Sequence, residues 1–181
     1  MPVQIGQKPE SDFFNPLGLL SDCHRRIERF LGVLVKISER RNGAELPGVE
    51  QAALETALTY FRNSAPKHTS DEEDSLFPRL RASREAASAL ECLDKLEGDH
   101  KAAAKDHATA DSLGTRWLAE GKLAAAPARE LGQALTRLSS LYARHIAIED
   151  AELFPLAAKV LPEADLAAVG REMADRRGIR K

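Results

Sequence analysis

The sequence predicts an all-α protein: an up-down antiparallel four-helix bundle with a short C-terminal helix. Three observations carry this expectation. Apolar residues recur at helical spacing over four long stretches. Stop signals separate those stretches and leave connections short enough to join neighbouring antiparallel helices. No stretch alternates apolar and polar residues over a useful strand length.

The elements follow in order. Residues 1–16 are expected to be irregular, with Pro9, Asn15 and Pro16 as breakers. The bundle occupies 17–161, and a terminal helix with a basic tail occupies 162–181. The first helix spans about Leu17 to Arg41, through Leu20, Ile27, Leu31, Leu34 and Val35, and Asn42-Gly43 and Pro47-Gly48 end it. The second spans about Val49 to Leu80, through Leu54, Leu58 and Phe61, with a kink or break imposed by Pro66 just before His68. The third spans about Arg84 to Glu120, with Leu90, Leu93, Leu96, Leu113 and Leu118, and Gly121 as its C-cap. The fourth spans about Ala128 to Val160, with Leu131, Leu135, Leu138, Leu141 and Ile148. Pro162 to Arg177 reads as a short helix packed on the bundle.

The 181 residues suffice for one domain with a proper core. A formal net charge of −2 gives no electrostatic footprint for nucleic acid or an anionic membrane. No apolar run approaches the ~20 residues that span a bilayer. The first eight residues lack the apolar centre of a signal peptide, so a cytoplasmic location is expected. Cys23 and Cys92 lack C-x-x-C spacing and are expected to be reduced, inert thiols.

One phrase occurs twice. His68 to Pro78 and His145 to Pro155 both read H-x-x-x-E-[ED]-x-x-L-F-P. A histidine and a carboxylate four apart share one helix face, about 6 Å along its axis. Each copy also has a lone histidine upstream: His24 lies 44 residues before His68, and His100 lies 45 before His145. The chain thus reads as two halves, each a helix with one His followed by a helix with His and Glu. Their six side chains, His24, His68, Glu72, His100, His145 and Glu149, can converge on one interior level. A single inward histidine is ordinarily a hydrogen-bonded core residue. Four at duplicated spacing with two carboxylates point to a cation, because an isolated buried carboxylate is costly.

Imidazole and carboxylate without thiolate do not suit a Cys-rich structural zinc site. Mg or Ca would take mostly oxygen ligands. The set suits two Fe ions, with Mn or Zn as possible substitutes. Each Glu can bridge the two metals, leaving positions for an oxo or hydroxo bridge and an external ligand such as O2.

On these residues and the paired L-F-P tails, the chain resembles the hemerythrin-like family, the HHE cation-binding domain, over roughly Leu17 to Leu161. The resemblance implies a four-helix bundle around a non-haem di-iron centre, with the six residues as ligands and Glu72 and Glu149 as bridges. It departs from the oxygen-carrying members, which have two histidines four residues apart on the third helix. Here that position is Ala104, and His107 follows instead. His107 is expected to line the pocket as a core histidine, with a fifth-ligand role as the alternative. The implied function is reversible binding of O2 or NO, sensing, or iron handling. The alternatives are an enzyme-like role in repair of nitrosative or oxidative damage, and a structural zinc-type bundle.

Residues i+4 and i+5 differ by about 100° around a helix, so one acid of each adjacent pair should face the metal. The repeat favours Glu72 and Glu149 over Glu73 and Asp150. Asp71, Glu73 and Asp74 are expected on a solvated acidic face or behind the ligands, and Glu152 behind the ligands. Tyr142 is expected in the core with its hydroxyl at the rim, and Trp117 in the core. Cys23 points away from His24. Arg176, Arg177, Arg180 and Lys181 read as a solvated terminus.

Overall fold

Asn15 starts the first helix. Its side-chain oxygen accepts the Gly18 N–H at 3.1 Å, and Pro16 occupies the first turn, where a missing N–H costs nothing. This helix, α1, spans Pro16–Arg41 and stops at Asn42 in the left-handed region (φ 43°). The computed structural model describes residues 11–179. Residues 1–10 of the irregular segment expected at 1–16, and the tail residues Arg180 and Lys181, lie outside the described residues.

Helix α2 spans Gly48–Asn63 and breaks at Ser64, and α3 (Ala65–Asp71) restarts with Pro66 in its first turn. The break expected ahead of His68 is therefore present. A π-helical turn follows at Glu72–Leu76, then α4 at Phe77–Ala82. A 3₁₀ turn at Arg84–Ala89 leads into the long α5, Leu90–Glu120, which ends on Gly121 at φ 73°. Helix α6 spans Ala125–Ile148, a second π-helical turn spans Glu149–Leu153, and α7 spans Phe154–Val160. Helix α8 spans Glu163–Arg176. The protein is all-helical, with no strand among the described residues. Among them, no helix is long and apolar enough to cross a membrane.

Helices α1, α2, α5 and α6 contact one another in a ring: α1 with α2 and α6, and α5 with α2 and α6. Gly114 of α5 lets α2 approach, since a Cβ there would lie 2.8 Å from Leu58 Cδ1. Helix α8 packs on α1 and α3.

Among the described residues the core forms two apolar clusters. One holds Ile27, Leu31, Leu34, Leu58, Trp117, Leu135 and Leu138. The other holds Leu20, Leu76, Phe77, Leu93, Leu96, Phe154 and Met173. Along α1 the switch from one to the other falls at His24, between Leu20 and Ile27. Along α5 it falls at His100, between Leu96 and Ala103. A polar layer thus divides the core where the sequence places its histidines.

Candidate metal centre

Both π-turns arise from the same sequence feature. Pro78 and Pro155 sit in the first turn of α4 and α7. A proline cannot donate to the carbonyl four residues back, and its ring excludes that carbonyl. The helix widens instead, so that Phe77 N–H bonds Glu72 O and Phe154 N–H bonds Glu149 O, five residues back. The L-F-P tail therefore builds a wide turn that begins at each candidate ligand Glu. Leu76, Phe77, Leu153 and Phe154 are buried and anchor the two turns.

The structure brings all six expected residues together. His68 Nε2 lies 3.2 Å from Glu72 Oε1, and His145 Nε2 lies 3.2 Å from Glu149 Oε2. His24 Nε2 lies 3.2 Å from Glu149 Oε2 and 3.7 Å from Glu72 Oε1. His100 Nε2 lies 3.5 Å from Glu72 Oε2. Two groups of ligand atoms result: His24, His68, Glu72 and Glu149 in one, and Glu72, His100 and His145 in the other. Within each group the atoms all lie within 4.8 Å of one another. Glu72 belongs to both. His24, Glu72 and Glu149 are fully buried, and His145 and His68 nearly so.

The donor chemistry fits a cation. Buried polar side-chain atoms almost always have a hydrogen-bond partner. Among the described residues, the buried ones that lack it belong to His24, His68, Glu72, His145, Glu149 and Asp99. Five of these are expected ligands, and both carboxylates present both oxygens. Nitrogen and oxygen donor atoms thus converge there without hydrogen-bond partners.

Electrostatics agree. Burial opposes charging His24, yet the carboxylates of Asp150, Glu149 and Glu72 outweigh it and lift its pKa to about 11. Burial and the charge of Glu149 push Glu72 up. Burial would also raise Glu149, but His145 and His24 hold it below the ordinary carboxylate value. The two carboxylates demand positive charge between them, which a metal ion would supply.

Behind the cluster, the adjacent acids act as clamps. Glu73 Oε1 lies 2.8 Å from His100 Nδ1, and Asp150 Oδ1 lies 3.0 Å from His24 Nδ1. Glu73 is thus a partner behind a candidate ligand, and Asp74 is exposed as expected. Asp99, which the sequence reading missed, lies 3.5 Å from His145 Nδ1. Its only signal was an acid next to His100. Ser21 and Arg25, also missed, hold Asp150 in place at 2.7 and 3.2 Å.

A profile of the hemerythrin HHE cation-binding domain matches residues 15–157. The chain belongs to this family. A Haemophilus influenzae protein described as uncharacterized is similar as well, 30% identical over 177 residues, which covers 92% of each chain. The hemerythrin-like domain here carries its His/Glu cluster on α1, α3, α5, α6 and the two π-turns.

Other expectations are corrected or refined. Glu152 is exposed rather than behind the cluster; the π-turn inserts an extra residue and rotates it off the face of His145. Asp71 is fully buried, not on a solvated face. Arg176 and Arg177 are not a solvated tail, because both pair with Asp71. His107 lies outside both ligand groups. Its Nε2 shares a 2.8 Å hydrogen bond with the Tyr142 hydroxyl, and its ring packs on Phe61. Tyr142 is buried and stands beside His145, ring centroids 6.2 Å apart. His107 also walls a largely apolar cavity of about 260 Å³ with Leu31, Leu34, Leu58, Phe61 and Leu138, which Arg62 and Asp111 also line. Trp117 is core, its Nε1–H bonded to Ala44 O at 3.0 Å. Ala104 is exposed.

Proposed function

We propose that the protein is a non-haem di-iron binding protein that reversibly takes up a small diatomic ligand, O2 or NO, for binding or sensing. His24, His68, Glu72, His100, His145 and Glu149 would hold the two Fe ions. The observation that carries the reading is the convergence of buried, unpartnered imidazole nitrogens and carboxylate oxygens at one level of the core. Iron there would supply redox chemistry and room for an external ligand. Mn and Zn suit the same donors.

The chain's own residues do the rest. Glu73 and Asp150 fix two imidazoles through Nδ1 and so leave Nε2 for the metal. The two apolar clusters exclude water from either side. The cavity walled by His107 lies two side chains from the centre, through Tyr142 to His145. An apolar antechamber suits O2 or NO better than a hydrated iron ion, which favours ligand binding over iron transfer.

The bundle in this reading is up-down and antiparallel. Residue pairs support it: Arg41 with Glu50 and Cys23 with Tyr60 between α1 and α2, and Asp106 with Arg137 and Asp99 with Arg144 between α5 and α6. In each pair of helices, one number rises as the other falls. The reading includes a bundle domain over 17–161 and a cytoplasmic location, consistent with free Cys23 and Cys92.

Loading with Fe(II), followed by exposure to O2 or NO under absorption spectroscopy, tests the proposal. Uptake of about two Fe per chain and reversible charge-transfer bands are expected. A folded protein that takes up no iron overturns it.

A further inference from the structure

Asp71 is the residue before Glu72, and it is fully buried. A buried carboxylate without partners would be costly. Its partners come from the end of α8. Arg177 Nη2 donates to Asp71 Oδ2 at 2.6 Å and Arg177 Nη1 to Oδ1 at 3.2 Å. Arg176 Nη1 donates to Asp71 Oδ1 at 2.9 Å, and its Nη2 to the Ser75 hydroxyl at 2.6 Å. Ser75 is also fully buried and lies in the π-turn that Glu72 begins. Two guanidinium groups therefore grip the backbone segment on both sides of Glu72.

The grip is one-sided. In the second copy of the phrase, Ile148 and Glu152 stand where Asp71 and Ser75 stand in the first. Neither offers the same handle, since Ile148 is apolar and Glu152 is exposed. The braced carboxylate is also the one that belongs to both ligand groups. Helix α8 itself lies beyond the matched family region, which ends at residue 157.

We propose that Arg176 and Arg177 are positioning residues for the metal centre. Through Asp71 and Ser75 they fix the π-turn that aims Glu72, so that α8 sets the affinity of both metal positions. The inference rests on the metal-centre reading above. A π-turn is a strained, widened piece of helix, and its side chains hold direction only if neighbours lock it. Fork-shaped guanidinium groups on one carboxylate give such a lock.

The test compares R176Q/R177Q with M173A. Met173 is buried in α8, in the apolar cluster that also holds Leu76 and Phe77, so M173A loosens the docking of the helix and leaves both arginine side chains in place. Fe(II) affinity is measured anaerobically by competition with a chromophoric chelator, alongside thermal unfolding in excess chelator and the absorption spectrum of the iron-loaded protein. We expect R176Q/R177Q to bind Fe(II) about 10–100-fold more weakly with an altered spectrum. M173A should lose thermal stability and stay within about twofold of the parent affinity. R177K, which keeps the charge but not the fork, should fall between. The single variants R176Q and R177Q give the same reading if the double variant does not fold. If the arginine variants weaken Fe(II) binding no more than M173A does, the grip is only a helix anchor and the proposal fails. If the parent protein binds no metal, the metal-centre reading itself fails.

Discussion

Asp150 Oδ1 lies 3.0 Å from His24 Nδ1, joining the second half of the chain to the lone histidine of the first. The reverse link exists too, because Glu73 Oε1 from the first half lies 2.8 Å from His100 Nδ1 of the second. Each duplicated phrase thus carries one acid toward the centre and passes the next to the other half's imidazole. The two halves are laced together through their histidines. Asp150→Asn and Glu73→Gln keep size and remove charge, so each should weaken metal binding about 10–100-fold. Chelator competition measures this. Equal effects would reflect the shared geometry, and an unchanged affinity in both would show that the clamps do not orient the ligands.

The lacing also shows what was legible in the sequence. Ligand spacing is a property of one helix face, so His68 with Glu72 and His145 with Glu149 could be read directly. Glu73 and Asp150 could only be read as off-face acids, because what lies off one face depends on the neighbouring helix. The π-turns were hidden for a different reason. Pro78 and Pro155 were visible, but an unbroken helix was assumed across them, and that assumption put Glu152 on the wrong face. The fate of Arg176 and Arg177 depended on where α8 docks, which local periodicity does not encode.

Glu72 is shared by both ligand groups, and this ranks the ligand substitutions. Glu72→Ala should abolish loading of both positions. His68→Ala removes a member of one group only and should leave roughly half the metal. Elemental analysis of protein loaded with excess Fe(II) and desalted distinguishes them. A Glu72→Ala, Glu149→Ala double variant that keeps its full metal content would mean that other carboxylates bind the ions.

The apolar cavity beside His107 gives a kinetic prediction. Ala108 lines it and is exposed at its edge. Ala108→Phe should narrow the entrance without touching any ligand. Metal content should stay at the parent level, while stopped-flow association of O2 or NO slows severalfold. An unchanged association rate would place the route of entry elsewhere.

Burial pushes the His107 pKa down, with Asp106 opposing weakly. The folded protein therefore keeps this ring neutral at pH values where the unfolded chain protonates it, below about 6.5. Below that value the unfolded state binds more protons, so this group lowers stability as pH falls; above it, the group contributes no pH dependence. His107→Phe removes the dependence. It also leaves the Tyr142 hydroxyl without its partner, a cost that does not vary with pH over this range. The two effects separate in denaturant titrations run in excess chelator from about pH 7.5 to about pH 5. His107→Phe should start less stable than the parent and lose less stability across the range. Other buried histidines contribute equally to both proteins and cancel in the difference. Parallel pH profiles would show that His107 accepts its proton as readily in the folded protein as in the unfolded chain.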